Sequence, residues 1–261
     1  MSSDYWKLRE IKERENLLNS FINKTDNDLI REYRRLSAKL VNDMKTVYIE
    51  IMNKTVNGQV VTANDLYRYN RYYELLNNIN QQLTSSGIRI NELFDRRFYA
   101  LYKENSLLVG KQFNLATEIN EELAKRVINA VWVNDGKNWS DRIWNNQTLL
   151  AEKLQNNMVN CVSAGYTPEM FKENIMTTFN ASYNRASTLA RTELAHIYTQ
   201  STIEKYKEAG IKRYKFLATP DERECSECQE LDGKIFPIDD VKPPLHPQCR
   251  CAILAVLEKE D

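Results

Sequence analysis

The residues best suited to chemistry lie close together near the C-terminus. A Cys-x-x-Cys pair is followed by 17 residues and then by His-Pro-Gln-Cys-Arg-Cys. Two thiolates three positions apart can turn toward one ion, and Zn²⁺ prefers four nitrogen or sulfur ligands in a tetrahedron. We therefore predict a structural zinc site. Its preferred ligands are Cys225, Cys228, His246 and Cys249, and Cys251 competes for the fourth position.

The cysteines also have interpretations without a metal. They could form a reduced cluster of small buried apolar side chains, or a redox-labile set of thiols. The surrounding segment has little hydrophobic filling and holds five of the six prolines, so a metal would stabilise an otherwise weakly packed loop. Those prolines are Pro220, Pro237, Pro243, Pro244 and Pro247.

A catalytic metal is the less favoured interpretation. Catalytic zinc needs an open coordination position and a nearby general base. Nucleobase deaminases place a His-x-Glu upstream of Cys-x-x-Cys, whereas His196 is followed by Ile197 and Tyr198. Glu193 and His196 share a helix face and could form an acid–base pair, but such pairs are more often structural contacts. We expect no catalytic residue and no enzymatic activity.

A second group of residues is suited to partner binding. The segment from Tyr67 to Tyr73 carries four tyrosines and two arginines. Tyrosine and arginine are typical of protein-interface hot spots, and they also suit stacking on bases with phosphate contact. A core-and-rim face of a helical bundle is the simpler alternative. The predicted partner-binding residues are Arg68, Arg71, Tyr72 and Tyr73.

Composition indicates long helices and excludes several function classes. Glycine and proline number only 7 and 6 in 261 residues, which disfavours turn-rich β folds. Lys plus Arg equals Asp plus Glu at 36 each, so no global field would hold the chain on DNA or on an anionic membrane. No apolar run is long enough to span a membrane. The charged start lacks the pattern of a signal peptide, so we expect a cytoplasmic protein with reduced thiols.

Apolar periodicity and chain breakers predict the elements that position these residues. The fold class is mainly α, with a long-helix N-terminal part followed by a small α+β cysteine-rich C-terminal module. Helices are predicted over 4–22, 25–54, 62–85, 88–109, 115–131 and 141–164, then from Pro168, and over 182–209. Thr25 or Asp26 is the predicted N-cap of the second helix, and Gly87 and Gly210 are predicted to end the third and the last. Strands are predicted over 211–217, 233–236 and 251–256.

The order of motifs in the C-terminal third resembles the phage head morphogenesis family, the minor head proteins to which the F protein of phage Mu is related. The resemblance covers about residues 180–256. Its motifs are Ala190-Arg191-Thr192-Glu193, Tyr206-Lys207-Glu208-Ala209-Gly210, Asp221-Glu222-Arg223 with the Cys-x-x-Cys pair, Leu231-Asp232-Gly233-Lys234, and Pro243 through Cys251.

This resemblance implies a minor capsid component that associates with the phage portal protein and supports assembly of an infectious head. Major capsid or scaffolding protein and DNA are further candidate partners, and no membrane is expected. The implied location is the virion interior, after assembly in the host cytoplasm. Residues 1–180 would form an assembly and docking region, and 181–261 the head-morphogenesis domain. The alternatives are a metal-dependent nuclease acting on phage DNA and a DNA-binding ejection protein.

Overall fold

The computed structural model describes residues 3–54, 66, 69–116, 118–219, 225–240 and 242–257, and for 3–7 the backbone alone. The described residues are 74% helical, with a small three-stranded sheet near the C-terminus, which confirms the predicted fold class. The helices are α1 (Ser3–Lys54), α2 (Asn70–Gln112), α3 (Glu121–Ile128), α4 (Trp139–Ser163), α5 (Pro168–Glu208) and α6 (Ser226–Leu231), and the strands are β1 (Arg213–Leu217), β2 (Ile235–Pro237) and β3 (Ala252–Ala255).

Helix α1 is continuous where the sequence predicted a break before residue 25. The Thr25 hydroxyl donates to the carbonyl of Phe21 at 2.8 Å, one turn back in the same helix. Asp26 accepts a hydrogen bond from the Ser187 hydroxyl at 2.7 Å. Both side chains have partners other than a helix N-terminus, so neither acts as an N-cap. The predicted boundary was wrong because capping residue types also serve buried polar contacts.

Helix α2 runs through Gly87, which was predicted to end a helix. A Cβ atom built on Gly87 would lie 2.6 Å from a ring carbon of Trp144. The glycine is therefore needed for close approach of an aromatic ring and does not terminate the helix. The predicted start of this helix at residue 62 lies outside the described residues.

After α2 the predicted boundaries of α4 and both ends of α5 were close, and those of α3 and of a helix starting at residue 182 were not. Helix α4 lies within two residues of the predicted 141–164. Pro168 begins α5 as predicted, and the hydroxyl of Thr167 accepts from the Met170 N–H at 3.2 Å. Helix α3 is shorter than the predicted 115–131. The helix predicted to start at residue 182 is the second half of α5, and Gly210, with φ of +74°, follows its end.

The sheet has strand order β2-β1-β3, and both pairings are antiparallel. Tyr214 of β1 lies opposite Phe236 on one side and Ala255 on the other. All three strands lie within the predicted ranges apart from Pro237, which adds one residue to β2. The six-residue helix α6, which carries Cys228 and has Cys225 as its N-cap, was not predicted.

The described chain divides into two compact units that are each discontinuous in sequence. The first comprises 1–25, 94–139 and 188–261, and the second comprises 26–93 and 140–187. This division by compactness differs from the predicted division by function at residue 180, which stays a prediction. Among the described residues no helix is both long and apolar enough to cross a membrane.

The core of the first unit joins helices to the sheet. Its buried residues come from α2, α5, β1, β3 and the cysteine segments, and partly buried Phe113, Phe236 and Leu245 pack against it. The sheet strands have five, three and four residues, too short for independent stability. Burial against helices therefore holds the sheet. The buried members are Val109, Ile203, Tyr206, Tyr214, Phe216, Ala218, Cys228, Cys249, Cys251 and Ile253.

The second unit has a core with a buried polar network. The amide nitrogen of Asn146 donates to the hydroxyl of Tyr33 and to the carbonyl of Ser182, each at 3.0 Å. Its amide oxygen accepts from Arg185 Nε at 2.7 Å. Such satisfied networks fix the register of the helices that contribute to them.

We expect Gly87→Ala to destabilise the second unit by about 1–3 kcal/mol, because the added methyl displaces the Trp144 ring from its packing position. Gly110→Ala is the matched control on the same helix. Its added Cβ would meet no atom closer than 3.9 Å, so helix propensity should leave it neutral or stabilise it by up to about 1 kcal/mol. Urea unfolding followed by tryptophan fluorescence measures both, and equal stability of the two variants would contradict the packing role.

Candidate metal centre

The candidate ligands lie on three short segments of the first unit. Cys225 is the N-cap of α6, and its Sγ accepts a hydrogen bond from the Cys228 N–H at 3.4 Å. His246 lies in the turn that precedes β3, and Cys249 and Cys251 follow it directly before that strand. Burial differs among them, since Cys228, Cys249 and Cys251 are buried whereas Cys225 and His246 are half-buried.

The donor atoms form two groups of three that share Cys228. Cys225, Cys228 and His246 make the first group, and Cys228, Cys249 and Cys251 make the second, with the donor atoms in each within 4.8 Å of one another. Cys228 Sγ lies 3.4 Å from His246 Nε2 and 3.8 Å from Cys249 Sγ. Tetrahedral zinc with ordinary bond lengths separates two sulfurs by about 3.8 Å, and sulfur from nitrogen by about 3.6 Å. These separations fit a zinc site.

A small cavity lies between the ligand segments. Its volume is about 20 Å³, which is room for about one water-sized group. Its lining includes Cys251 and not Cys249. Cys251 is the residue that competes with Cys249 for the fourth position in the predicted ligand set. The lining residues are Thr219, Cys225, Cys228, His246, Gln248, Arg250 and Cys251.

Hydrogen bonds outside the donor set hold the ligand loop. Gln248 has φ of +61°. Its N–H donates to the hydroxyl of Thr192 and its side-chain amide to that of Thr188, each at 3.1 Å, which anchors the loop to α5. His246 Nδ1 lies 3.0 Å from the carbonyl of Pro247. A proton on Nδ1 would leave Nε2 free to bind a metal, as in many histidine-ligated sites.

The environment separates the pKa values of the buried thiols. Burial raises the pKa of Cys228 to about 12. The Cys251 thiol, and then backbone groups of Cys251 and Leu245, lower the pKa of Cys249 below its ordinary value. The hydrogen bond between the Cys249 and Cys251 side chains, together with burial, raises the pKa of Cys251. Zinc binding would release the remaining thiol protons, because thiolates are the metal ligands.

Glu193 and His196 each contact Trp132 in the first unit. Trp132 Nε1 donates to Glu193 Oε2 at 3.0 Å, and the His196 ring stacks on the indole with centroids 4.3 Å apart. Both residues are buried. Burial, and then the charge of Lys242, lower the pKa of His196 to about 3. This arrangement packs the loop that contains Trp132 onto α5.

The predicted partner-binding residues have different exposures. Arg71 Nη2 lies 3.4 Å from the Glu50 carboxylate, and Tyr73 is 50% exposed. Tyr72 is fully buried, because helical spacing from Leu75 and Ile79 turns it into the core of the second unit. Its ring therefore belongs to the protein's own core and does not face a partner. Arg68 lies outside the described residues.

Sequence reasoning missed one residue near the metal centre. The Nη1 group of Arg14 donates to the carbonyl of Arg250, between Cys249 and Cys251, at 2.8 Å. The available signal was its position on α1, three residues after Ile11 and four before Leu18, where the helix stripe is otherwise apolar. A charged residue on such a stripe indicates a buried partner.

Residues 152–254 match the family described as Phage Mu protein F like protein. This part of the chain is Mu F-like. The match contains all the candidate metal ligands and the whole of α5, and it confirms the resemblance to the phage head morphogenesis family over these residues. Similarity to this family supports a head morphogenesis protein.

Two curated relatives are similar to this Mu F-like chain. A protein of Enterococcus faecalis named NAD(+)--arginine ADP-ribosyltransferase EFV is 26% identical over 88% of this chain and 47% of its own length. An uncharacterized protein of Haemophilus influenzae is 29% identical over 42% of this chain and 26% of its own length. The chain thus spans at most about half the length of these relatives. No solved structure is significantly similar to it.

We expect His196 to make the first unit less stable in acid. Its folded-state pKa of about 3 lies below the unfolded value of about 6.5, so its stabilising contribution is complete above pH 6.5. That contribution is lost as pH falls from 6.5 toward 3, at about 1.4 kcal/mol per pH unit.

His196→Phe keeps an aromatic ring for Trp132 and removes the titration. Between pH 7 and pH 5 the wild type should lose about 2 kcal/mol more stability than this variant. Urea unfolding at each pH measures the difference, and other titrating groups cancel because both proteins contain them. Parallel pH curves would contradict the buried neutral state of His196.

Proposed function

We propose that this chain is a phage minor head protein that associates with the portal and supports head assembly without enzymatic turnover. The observation that carries the proposal is the Mu F-like match over residues 152–254, which contains the cysteine cluster and the whole helix that anchors its loop. In this proposal the protein acts in the virion interior, and its partners are capsid components.

A structural zinc ion is the second part of the proposal. Cys228 and His246, with two of the other three cysteines, would hold it, and the ion would supply four bonds that link these segments in addition to their packing in the core. Four protein ligands leave no position for a reacting water, which is the arrangement of structural sites. The matched separations between donor atoms support this assignment.

Removing one ligand should therefore unfold the small module and spare the helices. We expect Cys228→Ser to lower zinc affinity by more than the ~10- to 100-fold that outer-sphere changes cost. It should also expose residues 211–257 to protease while leaving a helical fragment. Cys161→Ser is the matched control, because Cys161 is buried in α4 and belongs to the second unit.

Elemental analysis and limited proteolysis with mass spectrometry measure both effects. Cys161→Ser should keep the zinc content and the cleavage pattern of the wild type. A metal-free wild type whose module resists protease would mean that packing alone holds these segments.

The second unit is proposed to dock on the portal through Arg71 and Tyr73. Arg71 is 57% exposed and Tyr73 is 50% exposed. Together they offer a cation and an aromatic ring, which are typical of interface hot spots. Tyr69 extends this face, since its hydroxyl donates to Glu50 at 2.9 Å and Lys54 Nζ lies 3.8 Å from the centre of its ring.

Replacing Arg71 and Tyr73 by alanine should weaken portal binding about 30-fold or more, which corresponds to about 2 kcal/mol for a hot spot. Met170→Ala is the control, because Met170 is exposed to a similar extent at 47%. The measurement is co-purification with the portal protein encoded by the same phage, followed by titration. Full binding by the double variant would overturn the docking face, and failure of the wild type to bind would overturn portal association.

An enzymatic alternative is raised by the name of the Enterococcus faecalis relative. We propose that this chain does not itself transfer ADP-ribose, since that name describes a whole protein of which the match covers 47%. Incubation with NAD⁺ and arginine, with the products identified by mass spectrometry, should show no ADP-ribosylarginine.

Incubation with duplex and single-stranded DNA and divalent metals should leave both intact, and cleavage abolished by His246→Ala would favour the nuclease.

A further inference from the structure

Arg14 is a buried cation on α1 beside the cysteine segments. Its side chain is 2% exposed, and its Nη1 donates to the Arg250 carbonyl at 2.8 Å. The guanidinium carbon lies 5.7 Å from the centre of the Tyr198 ring. The Nε group is also buried, and it has no hydrogen-bond partner among the described residues.

The charge of Arg14 needs a counter-charge. A guanidinium stays protonated in proteins, and a buried charge without a partner is costly. Among the residues that the structure describes, no carboxylate forms an ion pair with Arg14. The carbonyl that Arg14 contacts belongs to Arg250, between Cys249 and Cys251. A metal bound by those two cysteines would therefore place thiolate ligands close to the guanidinium.

Two hydrogen bonds hold the backbone between Cys249 and Cys251. The carbonyl of Arg250 accepts from Arg14 and also from the Thr219 hydroxyl, both at 2.8 Å. This carbonyl lies between the two cysteines of the second donor group, so the two bonds fix the direction in which Cys249 and Cys251 leave the backbone. Residues that orient metal ligands in this way are a regular part of metal sites.

We propose that Arg14 is the positioning residue and buried counter-charge of the cysteine metal centre, an inference that rests on the proposed zinc site. Zn²⁺ with three thiolates and a neutral histidine has a net charge of −1, which one guanidinium cancels. Arg14 thus makes the metal centre depend on a residue of α1.

Four variants of the full chain separate charge from hydrogen bonding. Arg14→Met removes both, Arg14→Lys keeps the charge, and Arg14→Gln keeps a donor without charge. Lys12→Met is the matched control, because Lys12 is an exposed cation on the same helix. Zinc affinity is measured by competition with a chelator. The spectrum of the cobalt-substituted protein reports the thiolate ligands independently of fold stability.

We expect Arg14→Met to weaken zinc binding about 10- to 100-fold and to alter the thiolate-to-cobalt bands. Arg14→Lys should recover most of the affinity, Arg14→Gln should not, and Lys12→Met should stay within about twofold of the wild type. Unchanged affinity in Arg14→Met, or equal recovery by Lys and Gln, would overturn the counter-charge role. If Arg14→Met fails to fold, the Lys–Gln comparison decides. A wild type that binds no zinc would instead refute the metal site itself, and this inference with it.

Discussion

Cys228 is the point on which the small C-terminal module depends. It is 1% exposed within the apolar core of the first unit, and its sulfur belongs to both groups of candidate metal donors. The three strands are too short to stand alone, so the module is stabilised by what its inner face contacts. A thiol in that core that can also bind a metal connects hydrophobic packing with coordination, because losing either would disturb the same atom.

Helix α5 connects the small C-terminal module to the rest of the first unit. Ile203 and Tyr206 place its apolar side against the core that includes the sheet, and Thr188 and Thr192 hold the ligand loop through Gln248. The whole of this helix and the cysteine cluster fall within the Mu F-like match. A rigid module anchored on a long helix suits a protein that assembles with others, because its binding surfaces stay in fixed positions.

Sequence reasoning succeeded where one residue type has one dominant physical consequence. Pro168 at a helix start and Gly210 after a helix end were both placed correctly, since the missing N–H and positive φ are local effects. It failed where the deciding contact is distant in sequence. Gly87 leaves room for the Trp144 ring, the Asp26 carboxylate accepts from Ser187, and Arg14 donates to the Arg250 carbonyl. The sequence near Gly87, Asp26 and Arg14 does not indicate these distant partners.

The central claim is that a metal ion bridges the segments that meet at Cys228. The most direct measurement is X-ray absorption at the zinc edge on the purified full-length chain, with zinc content determined on the same sample. We predict about one zinc per chain, with sulfur scatterers at about 2.3 Å and one imidazole nitrogen at about 2.0 Å. A chain that carries no zinc, or zinc surrounded mainly by oxygen, would contradict the claim.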